Sequence, residues 1–221
     1  MSVAENLSAL RSAIPANVRL VAVSKTKPVK SIHEAYNAGQ RIFGENRVQE
    51  LTQKQPLLPN DIEWHLIGHL QKNKVKYIAP FISLIHSVDS FELLETINKE
   101  AAKCGRIISC LLQFHIAKEE TKFGLSFEEA VALIHSEKFS EMKNVKICGV
   151  MGMATLTEDE SIVRKEFREL HGVFTTLKEQ DFRTSKDFKE ISMGMSGDYK
   201  IAIEEGSTLV RIGSAIFGER A

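Results

Sequence analysis

Cysteine is scarce in this chain of 221 residues. The three cysteines, Cys104, Cys110 and Cys148, are odd in number, lie far apart and form no C-x-x-C motif. A disulfide framework needs paired cysteines, and a structural zinc site needs closely spaced thiolates. The sequence therefore argues against both, and we interpret the thiols as reduced residues of the core or the surface.

Net charge and long apolar runs are also missing. The 29 basic and 29 acidic residues cancel, and no stretch is rich in lysine and arginine. A chain without a net field is not drawn to nucleic acid or to an anionic membrane surface. No apolar run is long enough to span a bilayer, and Glu5 stands where a signal peptide would be basic. We expect a cytoplasmic protein that binds a small molecule, and neither nucleic acid nor a membrane.

Two further motifs that would indicate a bound group are absent. No G-x-G-x-x-G follows the first apolar run, which removes the main support for a dinucleotide-binding fold. His65 and His69 lie four residues apart, but Gly68 between them marks a strand-to-helix junction and no acidic third ligand is evident. The sequence therefore predicts no metal site. His65 is interpreted as a structural histidine that is also a candidate for contact with a bound ring.

What the sequence does contain is a regular alternation of apolar strand-like runs and amphipathic helical runs. Apolar side chains at helical spacing predict a helix over residues 2–14, which Pro15 ends. Residues 18–23 are aliphatic except for Arg19, a run typical of a strand buried on both faces of a parallel sheet. Seven more strand runs alternate with helical runs, with no linker between them. The pattern predicts an α/β protein in which residues 1–221 form a single (β/α)8 TIM barrel with an extra N-terminal helix.

Residues that follow the strands of such a barrel lie together on one face, where active sites are built. In this sequence that ring is richer in polar groups than the strands beneath it, as expected of a functional mouth. The predicted mouth residues are Lys25, Gly44, Glu45, Asn46, His65, Ser87, Asp89, His115, Met151, Ser196 and Arg211.

The C-terminal segment carries two turns rich in glycine and serine. They span residues 193–197 and 211–214, about one βα unit apart, with Arg211 at the end of the strand between them. Either turn alone is more often only a turn, and such an arginine is more often a surface ion-pair partner. Together, at the last two strands of a barrel, they indicate a phosphate site in which Ser196 and Ser214 offer hydroxyl and backbone groups. A helix beginning just after Ser196 would add its positive dipole end.

Lys25 stands immediately after the first strand. A strand-end lysine followed by Thr26, Lys27 and Pro28 is most often a solvated loop charge. The alternative is an amine held over the barrel mouth, whose pKa is lowered by its neighbour Lys27 so that it forms a Schiff base. The residues alone leave both interpretations open.

Six motifs carry a family likeness, in the order VAVSKTKP, FGENRVQEL, WHLIGHLQKNK, HSVDS, GVMGMATL and SMGMSGDYKIAIEEGSTLVRIGSAIFG. With them the chain resembles, from about Val18 to its C-terminus, the YggS/PROSC family of pyridoxal-phosphate homeostasis proteins. That family in turn resembles the N-terminal barrel domain of alanine racemase. The joint pattern is far more specific than any single motif. One departure is His115, where such sequences more often have asparagine.

The resemblance implies a pyridoxal 5′-phosphate (PLP) cofactor held as a Schiff base on Lys25. It places the phosphate on Ser196 with its neighbouring backbone and on the second turn, and it makes Arg211 face the pyridine nitrogen. The predicted cofactor-binding residues are Lys25, Asn46, His65, Ser196, Arg211, Gly213 and Ser214.

For function, the resemblance implies a carrier that buffers PLP and delivers it to PLP-dependent apo-enzymes, affecting vitamin B6 and amino-acid balance without turnover. An arginine donates to an unprotonated ring nitrogen and so weakens the electron sink that PLP enzymes need. Two alternatives stay open: an amino-acid racemase, and an aldolase that uses Lys25 on a sugar phosphate without a cofactor. Racemisation is disfavoured because Tyr36, Tyr77 and Tyr199 all fall in predicted helices. A monomer is expected.

Overall fold

Eight parallel strands close into a barrel in the computed structural model, which describes residues 2–117 and 123–218. Each strand pairs with the next one in the chain, and the last pairs with the first, Ala22 lying opposite Ile212. This topology confirms the predicted (β/α)8 fold. The strands are β1 (Arg19–Val23), β2 (Ile42–Glu45), β3 (Glu63–Leu66), β4 (Leu84–Val88), β5 (Ile108–Gln113), β6 (Val145–Met151), β7 (Glu190–Ser192) and β8 (Leu209–Ile212).

Helices surround the barrel on the outside. In the two described ranges none of them combines the length and the apolar character that crossing a membrane requires. Residues 118–122, in the predicted polar loop after β5, lie outside the described residues. The helices are α1 (Val3–Ala13), α2 (Val29–Asn37), α3 (Val48–Lys54), α4 (Val75–Ile78), α5 (Phe91–Lys103), α6 (Phe127–Ile134), α7 (Glu137–Ser140), α8 (Glu160–Gln180), α9 (Tyr199–Glu204) and α10 (Ser214–Phe217).

The predicted N-terminal helix is present as α1. It begins with a capping box, in which the Ser2 hydroxyl accepts from the Glu5 amide and the Glu5 carboxylate accepts from the Ser2 amide. The helix stops at Ala13, two residues before Pro15. The Asn6 side chain donates to the Ile216 carbonyl at 2.9 Å, so α1 joins the end of the barrel to its beginning.

The period-two alternation of the strands divides the core into two layers. Leu20 and Ala22 of β1 belong to the large cluster between the strands and the helices, whereas Val21 belongs to a smaller cluster inside the barrel. After the exposed Arg19, both faces of β1 are buried, and its remaining four residues are therefore all aliphatic. The same alternation turns His65 and Arg211 inward, since their neighbours in sequence pack under the helices.

Some predicted boundaries are wrong. The alternation of runs predicts a helix after β3, at residues 70–80, but the chain there forms a 3-10 turn, Lys72–Lys74, and then the short α4. Buried Leu70 and Val75 are five residues apart and cannot share a helical face. The last helical run begins at Tyr199 and not just after Ser196. The three cysteines are free: Cys104 is exposed, and Cys110 and Cys148 are buried, as the sequence indicated.

Candidate functional site

A cavity of about 310 Å³, here called the mouth cavity, opens at the carboxyl ends of the strands. Its volume lies near the lower end of the range of about 300–1,000 Å³ that small-molecule sites occupy. Apolar side chains from several loops, including Ile67 and Met153, complete its wall. Six of the seven predicted cofactor-binding residues line it: Lys25, Asn46, Ser196, Arg211, Gly213 and Ser214.

The mouth cavity is lined by cations without carboxylates. Lys25, Lys27 and Arg211 contribute to its wall, and none of the described lining residues is acidic. The Lys27 ammonium also donates to the carbonyls of Phe217 and Gly218, at 3.2 Å and 3.0 Å, which ties the first loop to the C-terminal segment. A space with this charge favours a ligand that carries more than one negative charge.

The two glycine- and serine-bearing turns meet in the structure. The Gly213 amide donates to Ser196 Oγ at 3.3 Å and so joins the turn after β7 to the turn after β8. A side chain at Gly213 would place its Cβ 3.1 Å from the Val23 carbonyl, so the backbone here passes close to β1. Because α9 starts only at Tyr199 and has six residues, the two turns present backbone amides and hydroxyls, and a helix dipole contributes little at Ser196.

The first of these turns requires a glycine. Gly194 has φ of +92°, and a Cβ on it would lie 2.5 Å from the Ala202 side chain. The Asp198 carboxylate accepts from the Met195 amide at 2.5 Å and closes the turn. Ser196 is thereby held at the edge of the mouth cavity by the turn itself.

Arg211 is almost wholly buried, with 3% of its surface exposed. Its guanidinium donates to Ser192 Oγ at 2.5 Å and to the Gly152 carbonyl at 3.0 Å. Burial lowers its pKa to about 10, so the group is still protonated at neutral pH. Arg211 therefore presents a fixed donor to the mouth cavity and cannot accept a hydrogen bond.

His65 is not in the mouth cavity, contrary to its predicted place at a strand end. It is the third residue of β3, its ring is buried inside the barrel, and it lines a second cavity of about 220 Å³ at the amino ends of the strands, here called the basal cavity. Its Nδ1 lies 2.9 Å from Nε2 of His86, and His86 Nδ1 lies 2.9 Å from Ser192 Oγ. His65 thus reaches Arg211 only through His86 and Ser192.

Both histidines of this interior chain are held neutral. Burial lowers the pKa of His65 to about 3 and depresses the pKa of His86 as well, with the neighbouring His65 adding to the effect. Because Arg211 only donates, we assign the Ser192 hydroxyl as donor to His86 Nδ1, and His86 Nε2 as donor to His65. His86 and Ser192 were missed by sequence reasoning, although both lie at inward positions of their strands.

Several other predicted mouth residues have structural partners instead. Glu45 is wholly buried, and its Oε1 accepts from Ser24 Oγ at 2.6 Å and from Lys54 Nζ at 2.8 Å. Ser87 donates to the Gly68 carbonyl at 2.6 Å. Neither Glu45 nor Ser87 lines the mouth cavity. Lys54 and its ion pair were also missed, because a lysine within an amphipathic helix reads as a solvated charge.

Asp89 and His69 form a pair outside the mouth cavity, with 3.0 Å between the carboxylate and Nδ1. His69 is partly exposed whereas His65 is inside the barrel, so the two do not converge. Over residues 2–117 and 123–218, no group of three or more histidine, cysteine or acidic side chains is arranged to hold a metal ion.

Comparison with known sequences gives one consistent family. The chain matches the family described as alanine racemase, N-terminal domain, over residues 1–221. It is 41% identical over 203 residues to the pyridoxal phosphate homeostasis protein of Aquifex aeolicus (strain VF5), and the match covers 91% of this chain and 87% of that protein. The pyridoxal phosphate homeostasis protein of Homo sapiens is 39% identical over 213 residues, covering 91% of this chain and 76% of that protein.

Solved structures agree with this result. PipY of Synechococcus elongatus PCC7942, in a structure with PLP bound, is similar with a TM-score of 0.89 and 38% identity, covering 98% of this chain and 100% of that one. The alanine racemase of Bartonella henselae, with covalently bound pyridoxal phosphate, is similar with a TM-score of 0.76 and 20% identity, covering 99% and 62%. At that lower identity the likeness shows the fold alone.

Proposed function

The chain belongs to the family of pyridoxal phosphate homeostasis proteins, within the wider family of the alanine racemase N-terminal domain, and from this premise we propose that it binds PLP in the mouth cavity. It buffers the cofactor and delivers it to PLP-dependent apo-enzymes, and it has no catalytic turnover of its own. The observation that carries the proposal is the cavity itself, with three cations, no described carboxylate and two joined turns.

The phosphate group is bound by the two turns. Ser196 and Ser214 supply hydroxyls, and Gly213 supplies a closely approaching backbone. Hydrogen bonds to a charged acceptor are about twice as strong as neutral ones, so these groups dominate the affinity. Lys27 adds a positive charge to the same cavity.

Lys25 attaches the cofactor covalently. Its unprotonated Nζ would join the aldehyde carbon in a C=N bond, and the aldehyde oxygen would leave as water with both amine protons. Hydrolysis reverses this condensation, which suits a carrier. Asn46 lines the cavity beside Lys25 and contributes a polar contact. His65 is left out of direct contact, because it reaches the site only through His86.

Arg211 determines what the bound cofactor can do. When bound, PLP supplies an electron sink whose strength depends on protonation of its ring nitrogen. Arg211 keeps its proton and donates to that nitrogen, and Ser192 and Gly152 hold the guanidinium in place. The ring nitrogen is thereby kept unprotonated and the sink is weak, which favours storage over turnover.

Amino-acid racemisation needs a proton acceptor on each face of the α-carbon, and Lys25 serves only one of them. None of the three tyrosines lines the mouth cavity. Tyr36 donates to Asp61 at 2.7 Å, Tyr77 is exposed, and Tyr199 is the first residue of α9. These positions support a carrier over a racemase, and we propose that the carrier acts as a monomer.

The proposal is tested by absorption spectroscopy of the PLP-loaded protein before and after borohydride reduction, followed by peptide mapping. We expect a visible Schiff-base band that reduction abolishes, with the modified residue mapped to Lys25. Lys25→Ala should lose the band and remain folded, because the lysine lies outside the buried strand.

Lys27→Ala is the matched control, since it removes an amine from the same cavity but should keep the band at saturating PLP. Trapping of a lysine other than Lys25 would refute the assignment. The protein would be an aldolase if it showed no visible band with PLP and if borohydride instead linked Lys25 covalently to a sugar phosphate. Lys25-dependent formation of D-alanine from L-alanine in deuterated water, at an enzyme-like rate, would make it a racemase.

A further inference from the structure

Both peptide groups that flank Lys25 are hydrogen-bonded to charged side chains of α3. The Ser24 carbonyl, which belongs to the peptide bond before Lys25, accepts from Lys54 Nζ at 2.8 Å. The Thr26 amide, which belongs to the peptide bond after Lys25, donates to Glu50 Oε1 at 2.5 Å. The backbone is therefore fixed on each side of the lysine by one helix.

The charged side chains form a single buried cluster. The Lys54 ammonium donates to the Ser24 carbonyl, to Glu45 Oε1 at 2.8 Å and to Glu50 Oε1 at 2.6 Å, which uses all three of its N–H donors. The Lys54 side chain is 8% exposed, that of Glu45 is wholly buried, and that of Glu50, at the edge of the cluster, is 22% exposed. In the part of the chain described, Glu45 Oε2 is a buried atom without a hydrogen-bond partner. Desolvation makes such a cluster a poor source of stability, which suggests another purpose.

The backbone that this cluster holds is strained. Thr26 has φ of +64° and is the only non-glycine residue with positive φ in the described ranges. A β-branched residue is rare in this region and persists only where its surroundings determine it. The hydrogen bond from the Thr26 amide to Glu50 supplies that constraint directly after Lys25.

We propose that Glu45, Glu50 and Lys54, here called the lysine clamp, position Lys25 for Schiff-base formation. The clamp fixes the two peptide groups around Lys25 so that its side chain leaves β1 toward the mouth cavity. Holding a nucleophile in a near-attack position raises its effective concentration, and a small misplacement lowers it. The inference rests on the proposed Schiff base at Lys25 and assigns its geometry to residues that do not line the cavity.

The test combines Glu50→Ala with Lys25→Ala in a double-mutant cycle. PLP affinity is measured by titration for all four proteins, and the rate of Schiff-base formation by stopped-flow absorbance where Lys25 is present. We expect Glu50→Ala to slow Schiff-base formation by about tenfold or more and to weaken PLP binding, because Lys25 loses its fixed geometry. In the Lys25→Ala background the same substitution should leave PLP affinity unchanged, since there is no lysine to position.

Glu50→Gln should recover most of the rate, because the amide oxygen still accepts from Thr26. Gln53→Ala, on the exposed side of α3, is the matched control and should behave as the wild type. If Glu50→Ala does not fold, Glu50→Asp carries the same test, since it keeps the charge but shortens the reach.

Equal loss of affinity in both backgrounds would show a merely structural role and overturn the clamp. An unchanged rate in Glu50→Ala would overturn it as well, while Lys25→Ala still loses its band and the proposed function stands. A wild-type band in Lys25→Ala would instead refute the proposed function itself.

Discussion

The cavities at the two ends of the barrel are lined by the same number of cationic side chains but differ in their acidic side chains. The mouth cavity is lined by three cationic side chains and by no described carboxylate. The basal cavity is lined by three cationic side chains and by three acidic ones. The basal set consists of Arg19, Lys146 and Lys189 with Glu63, Asp187 and Glu190.

At the basal end the charges neutralise one another. Arg19 pairs with Glu190 at 2.9 Å, and Lys146 pairs with Asp187 at 3.2 Å. Glu190 also accepts from Thr208 Oγ1 at 2.8 Å. At the mouth the described lining residues include cations and no carboxylate. The net charge of zero for the whole chain therefore hides an uneven distribution of carboxylates between the two cavities, and this distribution favours the mouth as the end that attracts an anion.

The interior chain of His65, His86 and Ser192 connects these two ends. It begins at the basal cavity and finishes at Arg211 in the wall of the mouth. Since both histidines are neutral, the chain orients Arg211 without giving it a counter-charge. The guanidinium stays available to a ligand as a donor.

The largest effect is expected from removing the two serine hydroxyls that are proposed to bind the phosphate at the mouth. Ser196→Ala combined with Ser214→Ala should weaken PLP binding about a hundredfold or more, because hydrogen bonds to charged groups contribute about 1.5–3 kcal/mol each. The thermal midpoint measured without PLP should change little. Ser83→Ala combined with Ser109→Ala, at the basal cavity, is the matched control and should leave PLP affinity unchanged.

Pyridoxal without its phosphate should bind poorly to the wild type in the same titration. Equal affinity for pyridoxal and PLP would show that the mouth does not bind the phosphate, and the proposed functional difference between the two ends would be wrong.

An intermediate effect is expected from the histidine between the ends. The folded protein keeps His65 neutral to about pH 3, whereas the unfolded chain takes up a proton near pH 6.5. Its contribution to the free energy of unfolding is therefore complete above pH 6.5 and is lost as the pH falls toward 3. Wild-type protein should therefore lose about 3 kcal/mol of unfolding free energy between pH 6.5 and pH 4 through this histidine, and His65→Gln should not show that loss.

The measurement is urea unfolding of His65→Gln and the wild type across this pH range. Data at pH 7 serve as the control for the cost of the substitution itself. The same loss of stability in both proteins would contradict a buried neutral His65.

The smallest effect is expected from breaking a pair at the basal end. Arg19→Met removes the partner of Glu190, but the arginine side chain is 43% exposed, so the loss should be only about 0.5–1 kcal/mol of unfolding free energy. PLP affinity should not change, which titration of the same variant checks. Weakened PLP binding in Arg19→Met would show that the two ends are not independent.

Much of this architecture follows from local sequence. The alternation of strand and helix runs predicted the barrel and its N-terminal helix, because side-chain periodicity is a property of each segment alone. The turns at Ser196 and Ser214 and the strand-end Lys25 were also predicted as mouth residues, and all three line one cavity. Residues directly after parallel strands must share a face, so their convergence needs no knowledge of packing.

Tertiary structure decided the depth and the partners of the remaining groups. Periodicity turns His65 inward, but only the stagger of the closed strands places it at the basal end. Glu50 and Lys54 read as solvated helix charges, yet the packing of α3 brings them onto the backbone beside Lys25. The sequence by itself determined that Lys25, Ser196 and Arg211 lie at the mouth, because each follows or ends a strand. Hydrogen bonds and ion pairs between distant segments depend on three-dimensional distances. Only the fold therefore decided which residues hold the mouth residues in place.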